Sequence, residues 1–314
     1  MTFSIRRPAL TAGAVLACSI LLTACEVNLN SEGLSSLDTR TYTVTGQPDV
    51  VLDTFDGAIE VHSWDRSEVE VEIEKRAMEQ SLIDEIKVEA EQTGNRIVIR
   101  ITGPRRAEFR GLTIGNNVSP TARLRVAVPR LSNVDVKSGD GSILAESVDG
   151  KIVLNTSDGR VTASRLAGDI QIRSGDGSLR LDHMSGKLDL ETEDGSISLD
   201  GRFAVLRAKT GDGAIRVSVD PDAVMNDNWD LETRDGTVQL TLPSTFHAEI
   251  DAETRDGSVR STHPQLRDQI EDGRRPGDDR DDRRDSRRIL RTRMGDGGKT
   301  IRLRTGDGSI RIER

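Results

Sequence analysis

The chain has 314 residues, 44 of them basic and 53 acidic for a formal net charge of -9, and only 3% are aromatic. So few aromatics exclude a conventional globular core of this length, whereas a stack of thin aliphatic layers needs none. The acidic balance, with no basic stripe along the chain to offset it, repels nucleic acid and anionic lipid surfaces, so no nucleic-acid partner is expected.

Residues 1–24 read as a lipoprotein signal peptide. Arg6 and Arg7 form the charged start, Ala9 to Leu22 is an apolar run too short to span a bilayer, and small residues follow. The run ends in Leu22-Thr23-Ala24-Cys25, which resembles a bacterial lipobox, so Cys25 is the expected lipid attachment site and the first residue of the mature chain. Cleavage there removes Cys18, leaving no partner for an internal disulfide, and takes the net charge to -11. Glu26 is not the aspartate that resembles a Gram-negative inner-membrane retention signal, which favours the outer membrane in a cell that has one. Residues 25–40, with the polar Ser31 to Ser36, read as a tether.

From Thr41 the pattern turns to strict alternation, which predicts a β-rich region over 41–130 that caps or continues the repeat array beginning at 131. Ile59 and Val61, then Val69, Val71 and Ile73, then Ile97, Ile99 and Ile101 mark its strands, and Gly94-Asn95 marks a hairpin. Met78 to Asp84 suits one helical turn. Asp56-Gly57 looks like an early copy of a turn that becomes regular later.

Asp140-Gly141 recurs as Asp158-Gly159, Asp176-Gly177, Asp194-Gly195 and Asp212-Gly213, at an unbroken period of 18 residues. A fixed period of this length means one small unit stacked on itself. Two aliphatic columns emerge, one led by Ile143, Val161, Leu179, Ile197 and Ile215, the other by Ile152, Ile170, Leu188 and Leu206. The expected fold is therefore all-β, a parallel β-solenoid over 131–262 with two-strand rungs of about 18 residues, preceded by the β-rich region. Val148, Leu166 and Met184 are expected to fill one corner, and Gly150, Gly168 and Gly186 to let the chain bend back there. Asp235-Gly236 and Asp256-Gly257 follow at longer spacings, with loops near Pro221 to Asn228 and Pro243 to His247. Residues 263–294 hold a mixed-charge insertion, seven acidic residues and seven arginines between Glu271 and Arg288, expected to be disordered. Residues 295–314, around Asp307-Gly308, return to register as a last rung or capping strands.

The stacked aspartates invite calcium, but Asp-Gly is a tight-turn dipeptide in which the carboxylate bonds nearby N–H groups and the glycine takes positive φ; that is the stronger reading, and no metal site is expected. Two residues before each aspartate stands Ser138, Thr156, Ser174, Thr192, Thr210, Thr233 or Thr254, facing inward and expected to bond turn backbone above and below. No histidine lies at a matching place in the repeat, so these hydroxyls are not nucleophiles. His62, His183, His247 and His263 are scattered and read as surface or turn residues. Trp64 and Trp229 are core plugs at irregular places or contacts for a partner. No catalytic residue, phosphate loop or cofactor site emerges.

The early strand ending in Asp56-Gly57-Ala58-Ile59-Glu60-Val61, the Val126-Ala127-Val128-Pro129 strand before the array, and the repeated Ser/Thr-x-Asp-Gly-x-Ile/Leu/Val motif together resemble the bacterial putative-adhesin family of β-strand repeat domains of unknown function. The resemblance covers roughly Thr41 to Ser261 plus the terminal rung, and implies a parallel β-solenoid in the bacterial envelope. The expected function is a non-catalytic, lipid-anchored envelope module, adhesin-like or scaffolding, with a glycan, cell-wall or envelope-protein partner. Two alternatives stand beside it. One is an envelope-stress regulatory partner engaging through the mixed-charge insertion; the other is a polysaccharide-acting enzyme, whose groove only the loops near Asp222 to Asn228 and Ser244 to His247 could wall.

Overall fold

A computed structural model describes residues 27–30, 33–104, 119–266 and 288–314. The signal peptide and Cys25 lie outside the described residues, as do residues 267–287 of the insertion expected to be disordered over 263–294, whose ends are instead ordered, 263–266 as a turn and 288–294 as a strand. The fold is all-β, a mixed sheet of 23 strands folded over on itself around an aliphatic core.

The N-terminal region contributes β1 (Val27–Asn30), β2 (Gly33–Thr43), β3 (Asp49–Thr54), β4 (Ile59–Trp64) and β5 (Glu68–Ala77). After these come the short helix α1 (Gln80–Glu85), β6 (Lys87–Thr93), β7 (Arg96–Thr102) and β8 (Thr121–Pro129). The regular repeats supply β9 (Asn133–Ser138), β10 (Ile143–Glu146), β11 (Asp149–Thr156), β12 (Val161–Ser164) and β13 (Ala167–Ser174). Two long strands, β14 (Leu179–Thr192) and β15 (Ile197–Thr210), run through a corner from one face into the other, and β16 (Ile215–Val219) comes next. The last part holds β17 (Trp229–Thr233), β18 (Val238–Thr241), β19 (Ala248–Thr254), β20 (Val259–Ser261), β21 (Arg288–Met294), β22 (Thr300–Thr305) and β23 (Ile310–Glu313).

Successive repeats pair in parallel at the register the period demands. Ile143 stands opposite Val161, Val161 opposite Leu179, Leu179 opposite Ile197 and Ile197 opposite Ile215. On the other face Ile152, Ile170, Leu188 and Leu206 stack likewise, and both columns are buried. Val148, Leu166 and Met184 fill the corner as expected, beside Gly150, Gly168 and Gly186 at positive φ. Where Ala204 breaks that glycine pattern the strand bulges, so that Phe203 stands opposite Gly186 and Val205 opposite Lys187.

The order of rungs in space departs from their order in the chain at both ends. At the start, β3 lies between β7 and β9, and β4 between β8 and β10, so the Asp56-Gly57 rung sits inside the one that follows it in sequence. At the end, β22 lies between β17 and β19, and β23 between β18 and β20. Residues 300–313 are therefore not the last rung, as expected from sequence, but one inserted inside the stack. Cross-strand charge on this face favours the observed order. Insertion sets Arg302 between Asp230 and Asp251, and Arg304 between Glu232 and Glu253; Asp53 likewise separates Arg100 from Lys137. Stacking in chain order would put like charges side by side at each of these places, which destabilises a sheet.

Antiparallel strands close the ends. β6 covers β7, β5 covers β8, β2 covers β5, and β21 covers β19. Such covers blunt the edges of an open stack. Gly33 to Arg40, expected within a tether, are instead part of β2, in which Leu34 to Arg40 pair residue by residue with β5. The helical turn expected at Met78 to Asp84 is α1, which buries Ile83.

The hydroxyl column is continuous through this spatial order. Thr192 Oγ1 donates to the Gly177 carbonyl at 3.0 Å, Thr210 to Gly195 at 2.8 Å and Thr233 to Gly213 at 2.9 Å. Thr305, from the inserted rung, donates to Gly236, and Thr254 to Gly308, both at 2.8 Å. Several of these hydroxyls also accept the glycine N–H of their own turn, as Thr210 does from Gly213 and Thr305 from Gly308. The hydroxyl thus takes the role expected of the aspartate carboxylate. The turn glycines also differ from expectation: apart from Gly57, they do not have positive φ. They are required because turns stack backbone on backbone, so that a Cβ on Gly177 would overlap the Gly159 carbonyl oxygen.

Replacing Thr192 by Val, which keeps shape and deletes the hydroxyl, is expected to cost about 1–3 kcal/mol in urea unfolding. Thr192→Ser is expected to retain most of that stability, since Ser138 and Ser174 already stand in the column. Gly177→Ala is expected to destabilise by about 2 kcal/mol or more, through displacement of the rung beneath it.

Candidate functional site

Along the corner where each Ser/Thr-x-Asp-Gly turn leaves its strand, the stack carries an open groove of about 1240 Å³. Its inner wall is an outward-facing column in which charge alternates along the stack: Glu191, Lys209, Glu232, Arg304, Glu253. Its outer wall includes Asp194, Asp235 and Asp307 from the turn column. Between the walls, backbone at Gly211 and Gly306 alternates with Glu193, Arg234 and Arg255. The loops expected to wall a groove, near Asp222 to Asn228 and Ser244 to His247, take no part in it.

Most of the cations here are already engaged. Arg304 donates to Asp251 at 2.7 Å and lies 3.6 Å from Glu253, Arg234 lies 3.5 Å from Asp212, and Arg255 is also partnered. Glu193, Asp194, Glu232, Asp235 and Asp307 have no side-chain partner among the described residues. The groove therefore offers mainly hydrogen-bond acceptors, suited to hydroxyl or ammonium groups of an extended ligand. Residues 304–307 come from the inserted rung, so the groove is complete only when that rung is in place.

Asp251 clamps the insertion, bonding Arg304 of β22 on one side and Arg291 of β21 on the other at 3.3 Å. Burial pushes its carboxyl up, but the two arginines outweigh burial and hold it below the ordinary carboxylate range. Arg304 is raised in turn, chiefly by its hydrogen bond to Asp251.

The remaining singled-out residues do not converge. Among the described residues no group of three or more His, Cys, Asp or Glu side chains is placed to hold a metal ion. Thr156, Ser174, Thr192 and Thr210 are buried and committed to the turn relay. Trp229 is a core plug, its ring 5.8 Å from Phe203 and 5.6 Å from Phe246, with its indole N–H buried and without a partner among the described residues. Trp64 donates to the Glu68 carbonyl and lies under Arg66. His263, read as a surface or turn residue, opens a turn in which the Leu266 N–H donates to its carbonyl, and is buried rather than at the surface, its ring 3.3 Å from the Pro243 carbonyl. A smaller hollow near His62, Glu146 and Arg165 gathers residues from three separate rungs.

The sequence pattern of the family described as Toastrack DUF4097 matches residues 49–313. No curated protein matches the chain. Among solved structures, a putative adhesin from Parabacteroides distasonis is 10% identical, with a TM-score of 0.39, covering 88% of this chain and 96% of its own. A putative adhesin from Parabacteroides merdae is 13% identical, at a TM-score of 0.37 and coverage of 88% and 95%. A protein described as a putative lipid binding protein from Parabacteroides distasonis is 12% identical, at 0.35 with coverage of 88% and 96%. Likeness of this degree carries no argument about function.

Because the Asp251 pKa is depressed in the folded state, the stability it supplies is present above its unfolded pKa near 4 and is lost as pH falls through the folded value. Asp251→Asn is expected to lower the urea midpoint at pH 7 and to flatten its fall below about pH 4. Midpoints taken from pH 7 to pH 2 check this.

Proposed function

The chain belongs to the Toastrack DUF4097 family, and from that membership and the groove we propose that it is a non-catalytic envelope binding module. In this reading the array is a parallel β-solenoid, anchored to a membrane by lipid on Cys25, whose stacked corners present a polar ladder to a glycan, cell-wall or protein partner. The observation that carries the reading is the assignment of the repeated residues. Each turn hydroxyl and each turn glycine is used in holding one rung on the next, and what remains for a partner is a repeated, open, hydrogen-bonding surface. An enzyme of this architecture needs a walled cleft with converging acid and base groups. The long loops near Asp222 to Asn228 and Ser244 to His247 stand apart from the groove, which favours binding over catalysis.

Two measurements test the reading. Cys25→Ser is expected to move the protein from the membrane fraction to the soluble fraction, and retention in the membrane would remove the lipid anchor from the proposal. Protease applied to intact and to permeabilised cells, with cleavage scored at the arginine-rich segment 271–288 and a periplasmic control, is expected to cut on intact cells if the partner is extracellular. Protection until permeabilisation would place the partner in the periplasm.

A further inference from the structure

Across the Asp-Gly edge from the groove, the face formed by β12, β14, β15, β16, β18, β23 and β20 carries an outward column with a different composition. In spatial order it reads Thr162, Arg180, Ser198, Arg216, Gln239, Arg311, Arg260. The four arginines are exposed, and none forms a side-chain hydrogen bond or ion pair among the described residues. Farther along the same column Arg125 is neutralised, 3.5 Å from Glu60 and 2.6 Å from Glu72. The row appears only when the stack is assembled: Arg311, from the inserted rung, takes the place between Gln239 and Arg260. The expectation of a chain without a basic stripe is corrected here, because arginines scattered widely along the sequence become neighbours in space.

The flanking columns sharpen the chemistry. On one side lie Ser178, Ser196, Ala214, Thr237, Ser309 and Ser258, stacked through their backbone carbonyls. On the other lie Asp182, Asp200, Ser218, Thr241 and Glu313; Asp200 accepts the His183 N–H and Glu313 the Gln239 amide, so this side bears three carboxylates, and the four arginines leave a net positive charge only along the row itself. Arg180 and Arg216 are two rungs apart, as are Arg216 and Arg311, a repeat of about 10 Å from the ordinary strand spacing. Unpaired guanidinium groups on a chain of net charge -9 attract anions locally and bind carboxylate or sulfate in bidentate fashion. A straight row beside a hydroxyl row suits a linear polymer bearing both anions and hydroxyls. The row holds no aromatic side chain on which a base could stack, which disfavours single-stranded nucleic acid.

We propose that the column Arg180, Arg216, Arg311 and Arg260, with its flanking serines, is a binding face for a linear acidic polysaccharide. The assignment is independent of the lipid anchor and of the groove. Its test uses the full-length protein and four probes: polygalacturonate, a sulfated polysaccharide, neutral dextran and oligo-dT. The variant Arg180→Gln/Arg216→Gln/Arg260→Gln/Arg311→Gln should keep the fold, since Gln239 already stands in the column. A control, Lys151→Gln/Arg173→Gln/Lys187→Gln/Arg207→Gln, removes the same charge from the other face. The native chain should bind at least one acidic polysaccharide and neither dextran nor oligo-dT, with affinity falling as salt rises. The four-arginine variant should lose on the order of tenfold or more, and the control less than about twofold. Failure of both acidic polysaccharides to bind, binding of oligo-dT alone, or equal loss in the two variants with matched circular dichroism would overturn the proposal.

Discussion

From Ser138 to Thr254 each rung rests on the one beside it through the same short relay, in which a buried hydroxyl donates to a glycine carbonyl of the neighbouring turn and, in most rungs, accepts the glycine N–H of its own. A turn polar group buried without a partner costs about 1–3 kcal/mol, so a stack of tight turns needs some such donor at each level. The relay brings the turns close enough that no Cβ fits between them, which is why glycine recurs beside the hydroxyl. It also relieves the aspartates of a structural bond: Asp194, Asp235 and Asp307 stand at the rim with their carboxylates open to a ligand. The repetition that first suggests a series of sites is mainly the signature of that relay, and the groove and the arginine row lie to either side of it.

Hydrophobic burial holds the rungs together but is less selective about their order than charge. Ile301 and Leu303 fill the same inward columns as Trp229 and Leu231 on one side and Ile250 and Ala252 on the other, and would fit many slots nearly as well. Cross-strand charge is more selective, each favourable pair being worth a fraction of a kcal/mol to about 1 kcal/mol, with like pairs unfavourable. Arg302 and Arg304 between two acidic pairs, and Asp53 between Arg100 and Lys137, make the interleaved order the one in which these columns alternate. The surface charges on this face therefore favour the interleaved order, while on the other face Arg311 stands beside Arg260.

This division explains what could be read from the chain. The 18-residue period, the inward columns, the corner filled by Val148, Leu166 and Met184, and the hydroxyl relay are local consequences of alternation and turn chemistry, so they are legible one repeat at a time. The rung order is not, because residues 300–313 carry the same motif as their neighbours and nothing within a single repeat says which slot it fills. The alternating charges held the signal, but it becomes readable only when columns are compared in trial orders. The arginine row was hidden for the same reason, since Arg260 and Arg311 are 51 residues apart in sequence. The turn glycines were read by the commonest reason for glycine, positive φ, where the cause is close approach between separate rungs.

The inserted rung also changes how the molecule bears load. Were the C-terminal strands at an edge, tension applied there would peel them off one hydrogen bond at a time. With β22 and β23 each paired on both sides, the same tension must shear two parallel ladders at once, and β21 pins the chain again across β19. The other end is secured in like manner, with β3 and β4 enclosed between later strands and β2 laid along β5. The C-terminal strands and the first rungs are thus fastened against unzipping under load.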